Sequence, residues 1–348
     1  MKHCVATLLV GAALVLVSMV WTEQPSAASG SGLLLVANKG ERALGIIDPD
    51  SGRQVAQVPE NGVTGHEVIA SPDGRTAYVP IYGDSGVGKA GTDGRHLVAI
   101  DVASRTIKAT LDFGHGVRPH CPLINPKDGM LYVTTELDKS VTIVDPATMK
   151  IVGSVPTGQP ESHMLAITRD GCRGYTSNVG PGTVSVLDLE ARKTLAVIPV
   201  SEYSQRIALS HDDKLAFTSD QRSPRLAVIN TSTNAVERWV ALPASGYGTA
   251  ATSDGRWLIV AMPSANKVAV VDLQTFTVAR TIDVPASPQE VLVRPDGQMA
   301  FVSCDVTGKV AAIRLSDWTV ASTIDAGKGA DGLAWAPASG SQSHPSGQ

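Results

Sequence analysis

The sequence predicts an all-β fold, a seven-bladed β-propeller whose blades are four-stranded antiparallel sheets. Two observations lead to this prediction. The aspartate of a strand-opening turn recurs every 42 residues, at Asp128, Asp170, Asp212, Asp254 and Asp296. Each period also repeats short apolar runs after a turn, as in segments 71–80, 125–136 and 294–305. A period of about 40 to 45 residues with several short strands per unit is typical of propeller blades.

The chain begins with a segment typical of an export signal. Lys2 precedes an apolar run, and a stretch of small residues follows it. Ser26 and Ala28 suit the −3 and −1 positions of a cleavage site, so cleavage after Ala28 is predicted. An uncleaved anchor is the alternative, because the apolar run approaches the ~20 residues of a spanning helix. Cleavage would give a periplasmic or secreted protein without a membrane span, with a signal peptide at 1–28, one propeller domain at 29–337 and a disordered tail at 338–348.

The two ends of the chain are predicted to complete one blade together. Segments 33–40, 43–50 and 53–59 match the second, third and fourth strands of a unit but have no first strand. Segment 332–337, which follows Asp331, matches a first strand that has no partners. Pairing these ends gives seven complete blades and protects two sheet edges that would otherwise be exposed.

Composition and motifs argue against several classes of protein. The net charge of −4 remains after the predicted cleavage, so no basic surface for nucleic acid is expected. Three cysteines remain, Cys121, Cys172 and Cys304, and an odd number leaves at least one unpaired. There is no Cys-x-x-Cys-His motif for covalent haem attachment. Gly-x-Ser-x-Gly, His-Glu-x-x-His and dinucleotide fingerprints are also absent, which favours a protein that is not an enzyme.

Polar side chains at the starts of the inner strands are predicted to face one mouth of the central channel. Counting back from the turn aspartates gives a first ring of His66, His120, His163, Gln205, Tyr247, Gln289 and Asp331. The next position along the strands gives a second polar set of Glu67, Arg206 and Glu290. The ends of the second strands are predicted to add a further ring of Asn38, Ile81, Thr135, Asn178, Asp220, Met262 and Cys304.

The three histidines support two interpretations. Neutral imidazoles that converge on one point commonly bind zinc or copper, so His66, His120 and His163 could hold a transition metal or a non-covalent haem. Asp331, on the blade next to His66, could join them. Alternatively each histidine caps its own blade by a hydrogen bond to a loop carbonyl, which would keep the imidazoles too far apart to share an ion.

The second polar set also has two interpretations. Glu67, Arg206 and Glu290 could bind a substrate carboxylate or polarise a carbonyl at the channel mouth. They could instead form ion pairs between blades, and the sequence does not reveal which side chains pair.

Blade 1 carries an insertion, residues 83–94, between its second and third strands. Its Gly83 and Gly88-Lys89 match the spacing of a phosphate-binding loop. Ala90 stands where that motif needs Ser or Thr, and a strand follows where a helix is required, so nucleotide binding is rejected. The insertion is predicted to be a rim loop, with cover over a ligand at the channel mouth as the alternative.

The repeat resembles the YVTN family of seven-bladed propellers, most closely in LYVTTELDKSVTIVDPATMKIVGSVPTG at 131–158. The resemblance covers nearly all of the predicted mature chain and implies the seven-bladed fold. Related propellers include the haem d-one domain of nitrite reductase, the copper propeller of nitrous oxide reductase, the methylamine dehydrogenase heavy chain and seven-bladed lactonases. Because these relatives differ in chemistry, the resemblance does not specify an activity.

Three functions therefore remain as hypotheses. The first is a binding or scaffold module that holds a protein, a glycan or a small molecule at the channel face. The second is a metal- or haem-associated redox protein with His66, His120 and His163 as ligands. The third is a lactonase-like hydrolase that would use His120, Glu67 and Arg206.

Overall fold

The computed structural model describes residues 32–84 and 86–338, which form seven four-stranded antiparallel sheets. The chain opens with β1 (Gly32–Asn38), β2 (Ala43–Asp48) and β3 (Arg53–Pro59). Blades 1 to 3 follow as β4 (Ile69–Ala70), β5 (Thr76–Gly83), β6 (Asp93–Asp101), β7 (Thr106–Asp112), β8 (Pro119–Ile124), β9 (Leu131–Thr135), β10 (Ser140–Asp145), β11 (Lys150–Pro156), β12 (Ser162–Ile167), β13 (Arg173–Asn178), β14 (Thr183–Asp188) and β15 (Lys193–Pro199).

The second half of the chain continues the same order and ends on a single strand. Blades 4 to 6 are β16 (Ala208–Leu209), β17 (Leu215–Asp220), β18 (Arg225–Asn230), β19 (Ala235–Ala241), β20 (Thr249–Ala251), β21 (Trp257–Met262), β22 (Lys267–Asp272), β23 (Thr277–Asp283), β24 (Pro288–Val293), β25 (Met299–Cys304), β26 (Lys309–Arg314) and β27 (Thr319–Asp325). A short 3₁₀ turn, Pro263–Ala265, lies between β21 and β22. The last strand is β28 (Ala330–Pro337).

Blade 7 closes the ring as the sequence predicts. β28 pairs antiparallel with β1, with Leu34 opposite Trp335 and Leu35 opposite Ala334. The sheet order is β28-β1-β2-β3, so both ends of the described chain belong to one blade. The first strands of the seven blades also contact one another in a closed cycle from β4 through β28 and back to β4. They therefore line the central channel.

The repeated aspartate has a specific structural role in the hairpin that leads into each second strand. In six blades its Oδ1 accepts a hydrogen bond from the backbone N–H two residues later, at 2.9 to 3.2 Å. The intervening glycine has a positive φ of about 70°, as at Gly74 and Gly255, a conformation that glycine adopts at little cost. Asp213 replaces this glycine in blade 4 and adopts φ 58°. The turn is therefore the same in all six blades.

Burial follows the position of a strand in its blade. The second and third strands are almost wholly buried, because neighbouring blades pack on both of their faces. The fourth strands alternate exposed and partly buried residues, as in Lys193–Pro199. Aliphatic clusters fill the space between blades: Leu35 and Ala334 of blade 7 pack with Ala77 and Val79 of blade 1.

The cysteines agree with the prediction that at least one of them is unpaired. Cys121 and Cys304 are buried, Cys172 is partly buried, and none of the three forms a disulfide. Within the described ranges no helix is long and apolar enough to cross a membrane. The predicted signal peptide lies outside these ranges, as does the predicted tail apart from Ala338, so both stay predictions.

Ring closure can be tested by truncation. Removing residues 331–348 deletes most of β28 and leaves β1 as an unpaired edge, so we expect the cooperative thermal unfolding transition to be lost. Removing only residues 339–348 keeps β28 and is the matched control. Circular dichroism at 218 nm during heating gives the comparison; equal midpoints for the two truncations would contradict closure as the source of cooperativity.

Candidate binding site at the channel mouth

The start of the inner strand brings part of the first ring together. His120, His163, Gln289 and Asp331 are the second residues of β8, β12, β24 and β28. His66, Gln205 and Tyr247 lie just before the shorter strands β4, β16 and β20, and not on their first residues as the sequence suggested. Two members bond locally: Gln289 donates to Ser287 of its own blade, and Gln205 accepts from Gln221. The three histidines, Tyr247 and Asp331 make the contacts across the channel.

The histidines form a compact cluster. The ring centroids of His120 and His163 are 3.5 Å apart with 32° between the planes, and those of His66 and His120 are 5.5 Å apart at 87°. His120 and His163 are each only 2% exposed, while His66 is partly exposed. The alternative that each imidazole stays apart on its own blade is therefore wrong, because the rings contact one another.

Tyr82 and Glu136 complete this cluster, and sequence reasoning missed both. The Tyr82 ring lies 4.8 Å from that of His66 and 5.2 Å from that of His120. Its hydroxyl donates to Glu136 Oε2 at 2.7 Å. His163 Nδ1 lies 3.3 Å from the same carboxylate oxygen and can donate to it. Glu136 thus orients a tyrosine and a histidine at once.

The ring predicted from the ends of the second strands is displaced by one residue. The predicted Thr135 and Asn178 hydrogen-bond to side chains of their own blades, such as Ser140 and Ser185. The residues that contact the first ring come one position later: Lys39, Tyr82, Glu136 and Gln221. Adjacent strand residues point to opposite faces, so an error of one residue exchanges the channel face for the blade face. Adding one to the repeat offset would have found these side chains.

Burial keeps the histidines neutral. It lowers the pKa of His66 to about 3 and that of His120 well below the ordinary value of 6.5. Burial also lowers the pKa of His163, although its hydrogen bond to Glu136 opposes the shift. His120 Nδ1 has no hydrogen-bond partner among the described residues and is inaccessible to solvent. The cluster therefore presents a buried imidazole nitrogen that is free to bind a further group.

Arg206 crosses the channel beside the histidines. From blade 4, its Nη1 lies 2.6 Å from Glu67 Oε1 of blade 1 and 3.7 Å from Glu290 Oε2 of blade 6. Its Nη2 donates to Asp331 Oδ1 of blade 7 at 3.0 Å. The interpretation of Glu67, Arg206 and Glu290 as ion pairs between blades is confirmed. Both Nη nitrogens of the guanidinium are consequently engaged by carboxylates, whereas Nε has no hydrogen-bond partner among the described residues.

Arg206 contacts two more blades through groups that carry no charge. Its guanidinium carbon lies 5.1 Å from the ring centroid of Tyr247 in blade 5. Its Nη1 is 3.7 Å from Sδ of Met164 in blade 3. With the three carboxylates, these contacts link one side chain to five other blades.

The carboxyl groups around Arg206 differ in pKa. Burial would raise the pKa of Asp331, but the charges of Lys39 and Arg206 hold it below its usual range. Lys39 Nζ is 3.0 Å from Asp331 Oδ2, so both oxygens of this carboxylate are occupied. Burial raises the pKa of Glu67 and of Glu290, and Arg206 only partly opposes this. Asp331, proposed as a partner of the histidines, is instead bound to the two cations.

The insertion of blade 1 is held against the histidine cluster. Arg118 donates from Nε to Asp93 Oδ1 at 2.6 Å and from Nη2 to the Lys89 carbonyl at 2.7 Å. Its Nη1 lies 3.6 Å from Glu136 Oε1. Arg118 is buried, so it ties described residues of the insertion to the carboxylate that orients Tyr82 and His163.

Glu60, another residue that sequence reasoning missed, lies beside the histidine cluster. It is fully buried, and its Oε2 accepts the backbone N–H of Gly65, next to His66, at 2.8 Å. Its other oxygen has no partner among the described residues. Burial raises the pKa of Glu60 to about 7. The repeat already shows that a glutamate is unusual at this position. The equivalent residues of the other blades carry no ionisable group: Phe113, Thr157, Val200, Leu242, Val284 and Ala326.

The fit of a metal or haem can be judged from these contacts. No group of three or more His, Cys, Asp or Glu side chains in residues 32–84 and 86–338 has the arrangement of a metal site. The rings of His120 and His163 are in contact and tilted by 32°, so a shared ion would need at least one ring to rotate. The mutual contacts of the imidazoles leave no gap between them for a haem macrocycle. The shared metal ion stays a prediction, supported by the free Nδ1 of His120.

Comparisons with known proteins support the propeller fold but do not assign the chain to a family. No protein-family model and no curated protein matches the sequence. Among solved structures, hydrazine synthase of Kuenenia stuttgartiensis has a TM-score of 0.69 at 16% identity, with 82% of this chain and 93% of that chain covered. The chain is a seven-bladed β-propeller. The YVTN resemblance rests on the repeat sequence alone.

Two further structures give the same result. A functionally unknown protein from Desulfotomaculum acetoxidans DSM 771 has a TM-score of 0.72 at 14% identity, covering 88% of this chain and 100% of that chain. Dihydro-haem d1 dehydrogenase NirN in complex with DHE has a TM-score of 0.63 at 14% identity, covering 87% and 75%. At such low identity these likenesses establish the propeller fold only.

Arg206 should be a major source of stability. Arg206→Met leaves Glu67 and Glu290 buried without a cation and Asp331 with Lys39 alone, so we expect a loss of about 3 to 5 kcal/mol in the free energy of unfolding. Arg222→Met, which removes an exposed ion pair with Glu202, should cost less than about 1 kcal/mol. Urea unfolding measures both values; equal stabilities of the two variants would refute this role for Arg206.

Glu60 should make the protein less stable as the pH rises. Its folded pKa lies above its ordinary value of 4.5, so between pH 4.5 and 7 the unfolded chain releases a proton that the folded protein retains. Stability should therefore fall over this window by up to about 1.4 kcal/mol per pH unit relative to Glu60→Gln. Urea unfolding at pH 4.5, 6 and 8 measures it, with the exposed Glu202→Gln as control. Parallel pH profiles for wild type and Glu60→Gln would contradict the assignment.

Proposed function

We propose that this protein is an exported propeller, periplasmic or secreted, that binds a small polar ligand at the channel mouth and is not an enzyme. The observation that carries the proposal is His120 Nδ1, a buried nitrogen of a neutral imidazole with no partner among the described residues. Leaving such a group unsatisfied costs about 1 to 3 kcal/mol. A ligand that donates a hydrogen bond to this nitrogen, or a metal ion that accepts its lone pair, would recover this energy.

The burial of the cluster favours a small molecule over the protein and glycan partners that the sequence left open. His120, His163 and Tyr82 are buried, and His66 is the partly exposed member of the cluster. A macromolecular surface at the mouth could contact His66 but could not reach His120. A compact ligand that displaces or passes His66 could. The net charge of −4 gives no support to nucleic acid as a partner.

A transition-metal ion is the second candidate, which would make the protein a metal-associated redox protein. It is favoured by three neutral imidazoles with neighbouring centroids 3.5 and 5.5 Å apart. Imidazole nitrogen is a common ligand of zinc and copper. A haem could bind only on the solvent side of His66. The hydrolase alternative is not advanced, because Glu67 and Arg206 are paired with each other.

The proposal predicts a ligand that depends on the cluster. We would purify the mature protein after export from a bacterial host and examine it by native mass spectrometry, elemental analysis and visible absorption. The cluster variant is His66→Ala/His120→Ala/His163→Ala. The matched control is His96→Ala/His115→Ala/His211→Ala, which removes two exposed histidines and the partly exposed His96. We expect a bound small molecule, or thermal stabilisation by one from a polar metabolite library, in the wild type and the control but not in the cluster variant.

The outcomes separate the two candidates. A near-stoichiometric metal that is lost in the cluster variant would establish the second candidate in place of the first. A metal-free, colourless protein that binds a small molecule supports the first. If the cluster variant fails to fold, His120→Gln replaces it as the test. This substitution keeps a similar side-chain volume and should weaken binding at least tenfold. A wild-type protein with no bound species and no stabilising ligand would overturn both.

A further inference from the structure

A groove of about 420 Å³ lies between blades 5 and 6, away from the channel mouth. Trp257, which begins β21, and Trp318, from the turn between β26 and β27, form its aromatic walls. Their ring centroids are 5.6 Å apart at 74°. Met262 lies at the other end of β21, which is the end nearest the channel mouth. The groove therefore opens on the opposite face of the ring from the histidine cluster.

The repeat shows that the two tryptophans are a local departure. Positions equivalent to Trp257 in the other blades hold Leu33, Thr76, Met130, Arg173, Leu215 and Met299. Positions equivalent to Trp318 hold Gly52, Arg105, Met149, Arg192, Asn234 and Phe276. This groove is thus the one junction of blades where both positions are aromatic. Packing of the blades does not require this pair, since six other junctions form without it.

The charges around the rings restrict the chemistry of a ligand. The Arg256 guanidinium carbon lies 4.7 Å from the Trp257 ring centroid, and that of Arg280 lies 5.9 Å from the Trp318 ring centroid. Two positive charges on these rings disfavour an organic cation, although aromatic pairs otherwise attract one. Asp254 lines the groove, and Asp317 pairs with the lining residue Arg314, which together disfavour an anion. A neutral ligand fits best.

Polar groups on the rim can bind hydroxyls. The side chains of Ser253, Gln298 and Ser316 line the groove and hydrogen-bond to no other described residue. Asp254 Oδ1 caps its turn by accepting the Arg256 N–H at 2.9 Å and the Thr252 hydroxyl, while Oδ2 is free among the described residues. Aromatic walls with a few convergent polar groups are typical of small-molecule sites.

We propose that this groove is a second binding site, for a neutral saccharide. A pyranose ring with equatorial hydroxyls has a flat apolar face that can stack on an indole, and its hydroxyls reach outward to rim groups such as Asp254 and Gln298. Glucose and N-acetylglucosamine units in β-linked chains have this shape. The proposal is independent of the function proposed for the channel mouth.

Titration with cellohexaose and chitohexaose tests this site. We expect at least one of them to quench tryptophan fluorescence of the wild-type protein in a saturable way at millimolar concentration. Trp318→Ala should weaken binding at least tenfold, and Gln298→Ala, an exposed position, about threefold. Trp239→Ala, which removes a surface tryptophan stacked on Arg225 in blade 4, is the matched control and should leave the affinity unchanged.

Further variants distinguish this site from the channel mouth and from a purely structural role. The His66→Ala/His120→Ala/His163→Ala variant should bind the oligosaccharide like the wild type. Asp254→Asn keeps the turn cap but weakens acceptance from hydroxyls, so affinity should fall without a change in unfolding midpoint. The proposal is overturned if neither oligosaccharide binds, or if Trp239→Ala and the cluster variant weaken binding as much as Trp318→Ala.

Discussion

The buried guanidinium of Arg206 is the constraint on which the centre of this propeller depends. A charge removed from water is stable only if carboxylates and aligned dipoles surround it. Arg206 meets this need by drawing Glu67, Glu290 and Asp331 from three other blades onto one point. Aliphatic packing between the sheets holds neighbouring blades together, and this ion network joins blades at the axis. The channel is consequently closed by side chains beside the histidines.

The same charge arrangement explains the chemistry of the histidine cluster. Lys39 and Arg206 add positive charge near His66 and His120, which together with burial disfavours protonation of the imidazoles. The carboxylate Glu136 acts on the far side, where it orients His163 and Tyr82. The mouth therefore combines an ion network around Arg206, which includes Glu67 of blade 1, with three neutral imidazoles on blades 1 to 3. The proposed ligand would bind beside the imidazoles, where His120 Nδ1 has no hydrogen-bond partner among the described residues.

Residues that depart from the repeat mark the positions where this propeller carries more than its fold requires. A repeat reproduces whatever each blade needs for folding, so aspartates of the turns and aliphatic strand residues recur. Glu60 at an otherwise apolar or threonine position, the insertion at 83–94 and the Trp257–Trp318 pair do not recur. Each lies at an edge of the channel mouth or at a junction between blades. These are the positions where a side chain can acquire a function without disturbing the blade.

The sequence by itself determined the number of blades, the closure by β1 and β28, the turn aspartates and the placement of His120, His163, Gln289 and Asp331 at the starts of inner strands. These features depend on local hydrogen bonds and on a period of 42 residues, both of which are visible along the chain. The tertiary structure alone decided that Arg206 binds Glu67 and Asp331, that the imidazoles contact one another, and that Tyr82 and Glu136 join them. The period gives the position of a residue along its strand, but side chains from different blades meet across the channel. Which partners they meet depends on the direction and length of each side chain and on the desolvation of its charge.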